Sequence, residues 1–145
     1  MEHLYPYFLV VHIVCAIIFL GYIFCDVVLL SPIRKSLGDE IADKVHSVIM
    51  SRGTRIMPLC VLLLVLSGGA MISRYIGVEL GFFDTPLQRL LVIKMLLALC
   101  IVAMVAISLS CRFLGRRNPI GNIIHPAVLG LGLGIVLLAK IAFYV

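Results

Sequence analysis

The sequence predicts an all-α integral membrane protein, a four-helix bundle, and three observations predict it. Of 145 residues, 63% are hydrophobic and 13% charged, with a mean hydropathy of +1.21. A soluble domain is roughly half apolar and a quarter charged. Four separate stretches each reach the length of about 20 apolar residues that a helix needs to cross the hydrocarbon core. The basic residues collect at the ends of those stretches. Too little polar surface exists to clothe a water-exposed globule, which excludes a cytosolic enzyme, a nucleic-acid-binding domain and a disordered tail. The formal charge of +5 then reports topology rather than a phosphate-binding patch.

The expected spans are 7–30, 49–72, 87–113 and 123–145, within a single membrane domain covering 1–145. The flank MEHLYP of the first span holds an acid and no Lys or Arg, which argues against a cleaved signal peptide. Ser31-Pro32 is expected to close that span. The polar segment Lys35–Ser47 follows as a short interfacial helix on the cytoplasmic side, running into span two, where Pro58 should kink the helix. Asp84-Thr85-Pro86 reads as a cap followed by proline, the start of span three. GRRNPIG, ending at Gly121, is a turn-rich connector, and Pro126 suits the first turn of span four.

Orientation follows from the basic residues. The first and third connectors with their adjoining helix ends carry Arg34, Lys35, Lys44, Arg52, Arg55, Arg112, Arg116 and Arg117, whereas the second carries Arg74 and Arg89. Eight against two places the first and third connectors in the cytoplasm and both termini outside. Cys15, Cys25, Cys60, Cys100 and Cys111 are dispersed without a CxxC pair. They read as small packing residues rather than a disulfide framework.

Ionisable groups inside the spans are the functional candidates, because burying them in hydrocarbon is costly. His12 lies five residues into span one, roughly 7–8 Å below the outer surface at helical rise. Lys94 lies about 10 Å and Lys140 roughly 7–8 Å from that same surface. Both lysines could instead snorkel to the interface. His12, Cys15, Phe19, Tyr22 and Asp26 follow three- and four-residue steps and share one helix face, which should look into the bundle. Asp26 is level with Arg52 and Arg55, so a buried Asp26–arginine pair is the simplest account. The same arginines could hold the propionates of a porphyrin bidentately.

His46, just before span two, and His125, opening span four, are the remaining ligand candidates. His12 and His125 should differ by about 22 Å in depth, which keeps them off one iron unless helices tilt or break. His46 with His125 is feasible. His12 would take Met71 or Met95 as partner, or act alone. Inward histidines with nearby cations fit a haem b pocket, since imidazole is a common axial ligand and bundle cores are common cofactor sites. Gly68-Gly69 and Gly130, Gly132 and Gly134 thin their helix faces. The GxxxG of Gly130 and Gly134 suits a homodimer contact or a slot for a flat macrocycle.

Four segments carry a resemblance to a known family: LVVHIVCAIIFLGYIF, MSRGTRIMPLCVLLLVLSGG, LQRLLVIKMLLALC and IIHPAVLGLGLGIVLLAK. They resemble the HemJ/CopD superfamily of small four-helix membrane proteins over most of the chain. His12, the basic cluster Arg52 and Arg55 before Pro58, Gly68, Lys94, Pro126 and Lys140 match the family's pattern. Tryptophan and the family's Tyr-His pair are absent, and Ile-Ile-His-Pro opens span four. The resemblance implies haem b binding, protoporphyrinogen IX oxidation or copper uptake.

The leading expectation is a haem b-binding protein of a bacterial-type cytoplasmic (inner) membrane, moving electrons or handling haem. His12 with His46 or His125 would ligate iron, and Arg52, Arg55 or Lys94 would neutralise propionates. A quinone or another redox protein would be its partner, beside the lipid bilayer and a second copy of the chain. The alternatives are a protoporphyrinogen oxidase of HemJ type and copper binding or transport through the dispersed Met and Cys residues.

Overall fold

The computed structural model describes residues 2–78, 80–116, 118, 121, 123–142 and 144. Arg117, counted above toward the topology, lies outside the described residues. So do Pro119 and Ile120 of the connector, and Phe143 and Val145 at the end of span four. The chain divides into two compact units, Met1–Ser67 and Gly68–Val145. Among the described residues every named element is helical.

In the first unit a 3₁₀ turn, Glu2–Leu4, leads into helix α1, Tyr5–Phe24. Pro6 sits in its first turn, where a missing N–H costs nothing. The helix does not stop at Ser31-Pro32 as the sequence suggested. It widens into a π-helical turn, Cys25–Leu29, in which the Leu30 N–H reaches back to the Cys25 carbonyl at 2.9 Å. It then continues as α2, Ser31–Leu37. The widening falls directly before Pro32, whose ring would collide with the Val28 carbonyl in a regular α-helix. Tyr5–Leu37 is thus one helical run of 33 residues.

The break comes at Gly38, which has a positive φ of 84° that residues with a Cβ resist. Asp39 and Glu40 open helix α3, Asp39–Ile72, where carboxylates favour the positive end of the helix dipole. The polar stretch expected as a separate short helix is therefore divided at Gly38 between α2 and the first turns of α3. Exposed ion pairs cross the break, with Arg34 held by Asp39 at 2.7 Å and by Asp43 at 2.6 Å. α3 runs on through Pro58.

In the second unit, helix α4 spans Pro86–Phe113 and α5 spans Ile124–Ile141. The expected start of span three is confirmed: Thr85 caps α4 and forms a reciprocal capping box with Gln88. Gln88 does more than cap. Buried within the unit, its side-chain oxygen accepts from the Asp84 and Thr85 N–H groups at 3.0 and 3.1 Å. Its amide nitrogen donates to the Tyr75 and Leu80 carbonyls at 3.1 and 2.8 Å. One side chain thereby ties the loop after α3 to the start of α4. α4 and α5 pack on one another, burying Leu91 and Ile101 with Ile124, Val128 and Gly132. Asn118 donates to Ser108 at 3.0 Å, holding the connector to α4.

The four helices Tyr5–Leu37, Asp39–Ile72, Pro86–Phe113 and Ile124–Ile141 are long and apolar enough to cross a membrane. Between 11% and 22% of the most apolar window of each is buried within the chain. Ile17, Leu59, Leu96 and Leu137 are among many large apolar side chains left more than half exposed. An apolar surface of that extent is suited to lipid rather than water. The chain is a multi-pass membrane protein.

Candidate functional site

The polar stripe of α1 faces α3. Cys15, Phe19 and Ile23 are buried on α1, and Gly53, Cys60 and Ser67 on the spanning part of α3. The contacts ascend one helix as they descend the other, so the pair is antiparallel. Asp26 lies opposite His46, Tyr22 opposite Met50 and Gly53, Cys15 opposite Cys60, and His12 opposite Ser67. Gly53, Cys60 and Ser67 recur every seven residues, the period that keeps one seam turned toward a partner helix. All three are small, which lets the backbones approach. That spacing was readable in the sequence and would have identified the face of α3 that meets α1.

Gly53 shows how close the approach is. A Cβ there would overlap the Tyr22 phenol, whose hydroxyl donates to the Met50 sulfur at 3.3 Å. Gly53→Val should therefore destabilise the protein by about 1–3 kcal/mol through overpacking. The same substitution in a Tyr22→Ala background should cost less, because the obstructing ring is gone. Unfolding in mixed detergent micelles measures both. Equal losses in the two backgrounds would show that the glycine is needed for another reason.

His12 is oriented by a chain of hydrogen bonds. The Ser67 hydroxyl donates to the Leu63 carbonyl at 2.5 Å, so toward His12, 2.9 Å away, it acts as acceptor. The network therefore places the imidazole proton on Nδ1 and the lone pair on Nε2. Ser67 is almost fully buried, whereas His12 is half-buried. Sequence reasoning selected His12 and missed Ser67, since a lone serine in an apolar run looks like any other helix-packing residue.

At the opposite end of the pair, His46 Nε2 stands 4.0 Å from the Asp26 carboxylate, which is largely buried while His46 is exposed. This differs from the expected Asp26–arginine pair. Arg52 and Arg55 lie off the α1-facing seam and line an open recess of about 470 Å³ with Ser51 and Ile56. Neither guanidinium hydrogen-bonds or ion-pairs with another described residue.

His46 and Ser67 are twenty-one residues apart on α3, about 31 Å of helical rise. His12 and His46 therefore stand at opposite ends of the helix pair and do not share one ion. Arg52 and Arg55 lie about 18–22 Å along α3 from Ser67, too far to be called neighbours of His12.

In the second unit Lys94 is half-buried on α4, and His125, also half-buried, lies in the first turn of α5 with Pro126. Lys140 is exposed, its ammonium 5.2 Å from the centre of the Tyr144 ring. That contact sets the ammonium over an aromatic face one turn further along the chain. A Cβ built on Gly130 or Gly134 meets nothing within 4 Å, so the GxxxG face is open among the described residues.

All five cysteines are thiols. Cys15 and Cys60, dispersed in sequence, stand opposite one another across the α1–α3 seam. Among the described residues no group of three or more His, Cys, Asp and Glu side chains is gathered to hold a metal. Comparison with protein-family models, with curated proteins and with solved structures finds no match to this chain.

Proposed function

We propose that this multi-pass membrane protein binds haem b and uses it in electron transfer or haem handling, with His12 as an axial ligand through Nε2. One observation carries the reading: the His12–Ser67–Leu63 chain donates the Nδ1 proton inward and puts the lone pair on Nε2. Metal-bound imidazoles are held in this way, the second ring nitrogen anchored to an outer acceptor. The residues present fit the group in donor chemistry, since a neutral imidazole on an apolar helix is a usual haem ligand. Haem b would supply a one-electron couple within reach of a membrane reductant such as a quinol. The resemblance of the four spans to the HemJ/CopD superfamily supports the same assignment.

The test is a reduced-minus-oxidised spectrum of the full chain purified after expression with adequate haem. A Soret and α-band at one haem per chain or per dimer is the expected result. Their absence would remove the reading. His46→Ala, His125→Ala and Lys94→Ala in the same assay report whether the other sequence candidates contribute.

A second reading, Cu(I) binding, is favoured by one contact. Cys15 and Cys60 bring two soft sulfur donors together one helical turn from His12. Stoichiometric Cu(I) without haem, lost in Cys15→Ser/Cys60→Ser, would put this reading in place of the first.

A further inference from the structure

Two of the cations flanking the break at Gly38 have partners: Arg34 holds Asp39 and Asp43, and Lys44 holds Glu40 at 2.8 Å. Arg52 and Arg55 differ. They are one turn apart on one side of α3, exposed, and without an acceptor among the described residues. Two guanidiniums beside one recess present donors in the planar fork that suits a phosphate.

Their position along the helix is the second observation. From Asp39 to Arg55 the helix carries six charged residues besides His46, namely Asp39, Glu40, Asp43, Lys44, Arg52 and Arg55, and from Ile56 to its end at Ile72 it carries none.

 

Arg52 and Arg55 are thus the last charges before the apolar run. Beyond them Ile56, Leu59, Leu62 and Leu66 continue the same helix face at three- and four-residue steps, and each is 48–59% exposed. From Ile56 to Leu66 is about 15 Å of rise, half of a hydrocarbon core roughly 30 Å thick. A cationic recess followed by an exposed apolar strip one leaflet deep has the shape of a phospholipid.

We infer that Arg52 and Arg55 bind the phosphate of an anionic phospholipid, whose acyl chain lies along Ile56, Leu59, Leu62 and Leu66. The inference stands apart from the haem reading, because its residues are far along α3 from Ser67 and its readout needs no haem.

Native mass spectrometry of the full chain in mild detergent tests it, with phosphatidylglycerol, phosphatidylcholine and inorganic phosphate as probes. Phosphatidylglycerol should be retained in preference to phosphatidylcholine. Arg52→Gln/Arg55→Gln should lower that affinity by roughly thirty-fold, about five-fold per arginine. Arg52→Lys/Arg55→Lys keeps the charge and should lose much less, which keeps the test valid if the glutamine variant misfolds. Equal retention of the two lipids by the wild type would overturn the inference, and so would undiminished phosphatidylglycerol binding in the glutamine variant. Inorganic phosphate that displaces phosphatidylglycerol at similar concentration would also overturn it, by showing that the acyl strip adds nothing.

Discussion

His12→Ala should abolish the haem b Soret and α-bands, while Ser67→Ala should keep them and weaken haem affinity roughly 10–100-fold, the usual cost of losing an outer-shell partner. The two variants separate ligation from orientation. Alanine at position 12 removes the donor itself, and nothing else described on α1 within one turn of it is an imidazole or a thioether. Alanine at position 67 leaves the imidazole in place but removes the acceptor that holds the Nδ1 proton 2.9 Å away. The ring then samples both tautomers, and part of the population carries its proton on Nε2. A merely structural histidine would behave differently: its loss would lower stability and leave the spectrum per folded chain unchanged. Full bands in folded His12→Ala would refute the assignment.

Gln88→Leu should be the most destabilising single change in the second unit, by about 2–4 kcal/mol in detergent unfolding. The substitution removes four hydrogen bonds at once, leaving the Asp84 and Thr85 N–H groups and the Tyr75 and Leu80 carbonyls without their partner. Each buried polar group left unsatisfied costs about 1–3 kcal/mol. Here the sum is reduced because Leu80, Asp84 and Thr85 are exposed enough for water to replace part of the loss. Gln88→Glu distinguishes the two halves of the network. Its carboxylate still accepts from the two N–H groups but cannot donate to the two carbonyls, so it should also destabilise at neutral pH. Wild-type stability in Gln88→Leu would show that neither the Gln88 half of the capping box nor the loop tether contributes.

The spans were legible because hydrophobic length is a local property. Four apolar runs and the Thr85-Pro86 start are visible residue by residue, and the structure places a helix over each, although α3 starts at Asp39 rather than at Ile49. The end of the first span was not legible. Pro32 ordinarily argues for a stop, but a turn that widens to a five-residue return absorbs its ring, and Gly38 ends the helix instead.

The candidate site was legible in part. The stripe from His12 to Asp26 was correctly read as one face, since helical periodicity needs only α1. What that face meets depended on the register of a second helix. Asp26 was matched to the nearest strong cations, yet those arginines point away from the seam and His46 stands opposite it. Charge alone ranks Arg52 above His46; rotation about α3 reverses the ranking. Cys15 and Cys60 looked unrelated for the same reason, being forty-five residues apart in the chain.

By itself, then, the sequence determined the medium and the segments: an apolar fraction too large for water, four helices long enough to cross a bilayer, and a few ionisable groups within them. Tertiary structure decided the partners. It put Ser67 behind His12, set Cys60 against Cys15, gave Asp26 a histidine and left Arg52 and Arg55 facing outward. Hydropathy adds up along a chain and is readable one segment at a time. A hydrogen bond between helices requires the right rotation and the right axial register of both, and one step along a helix turns a side chain by about 100°.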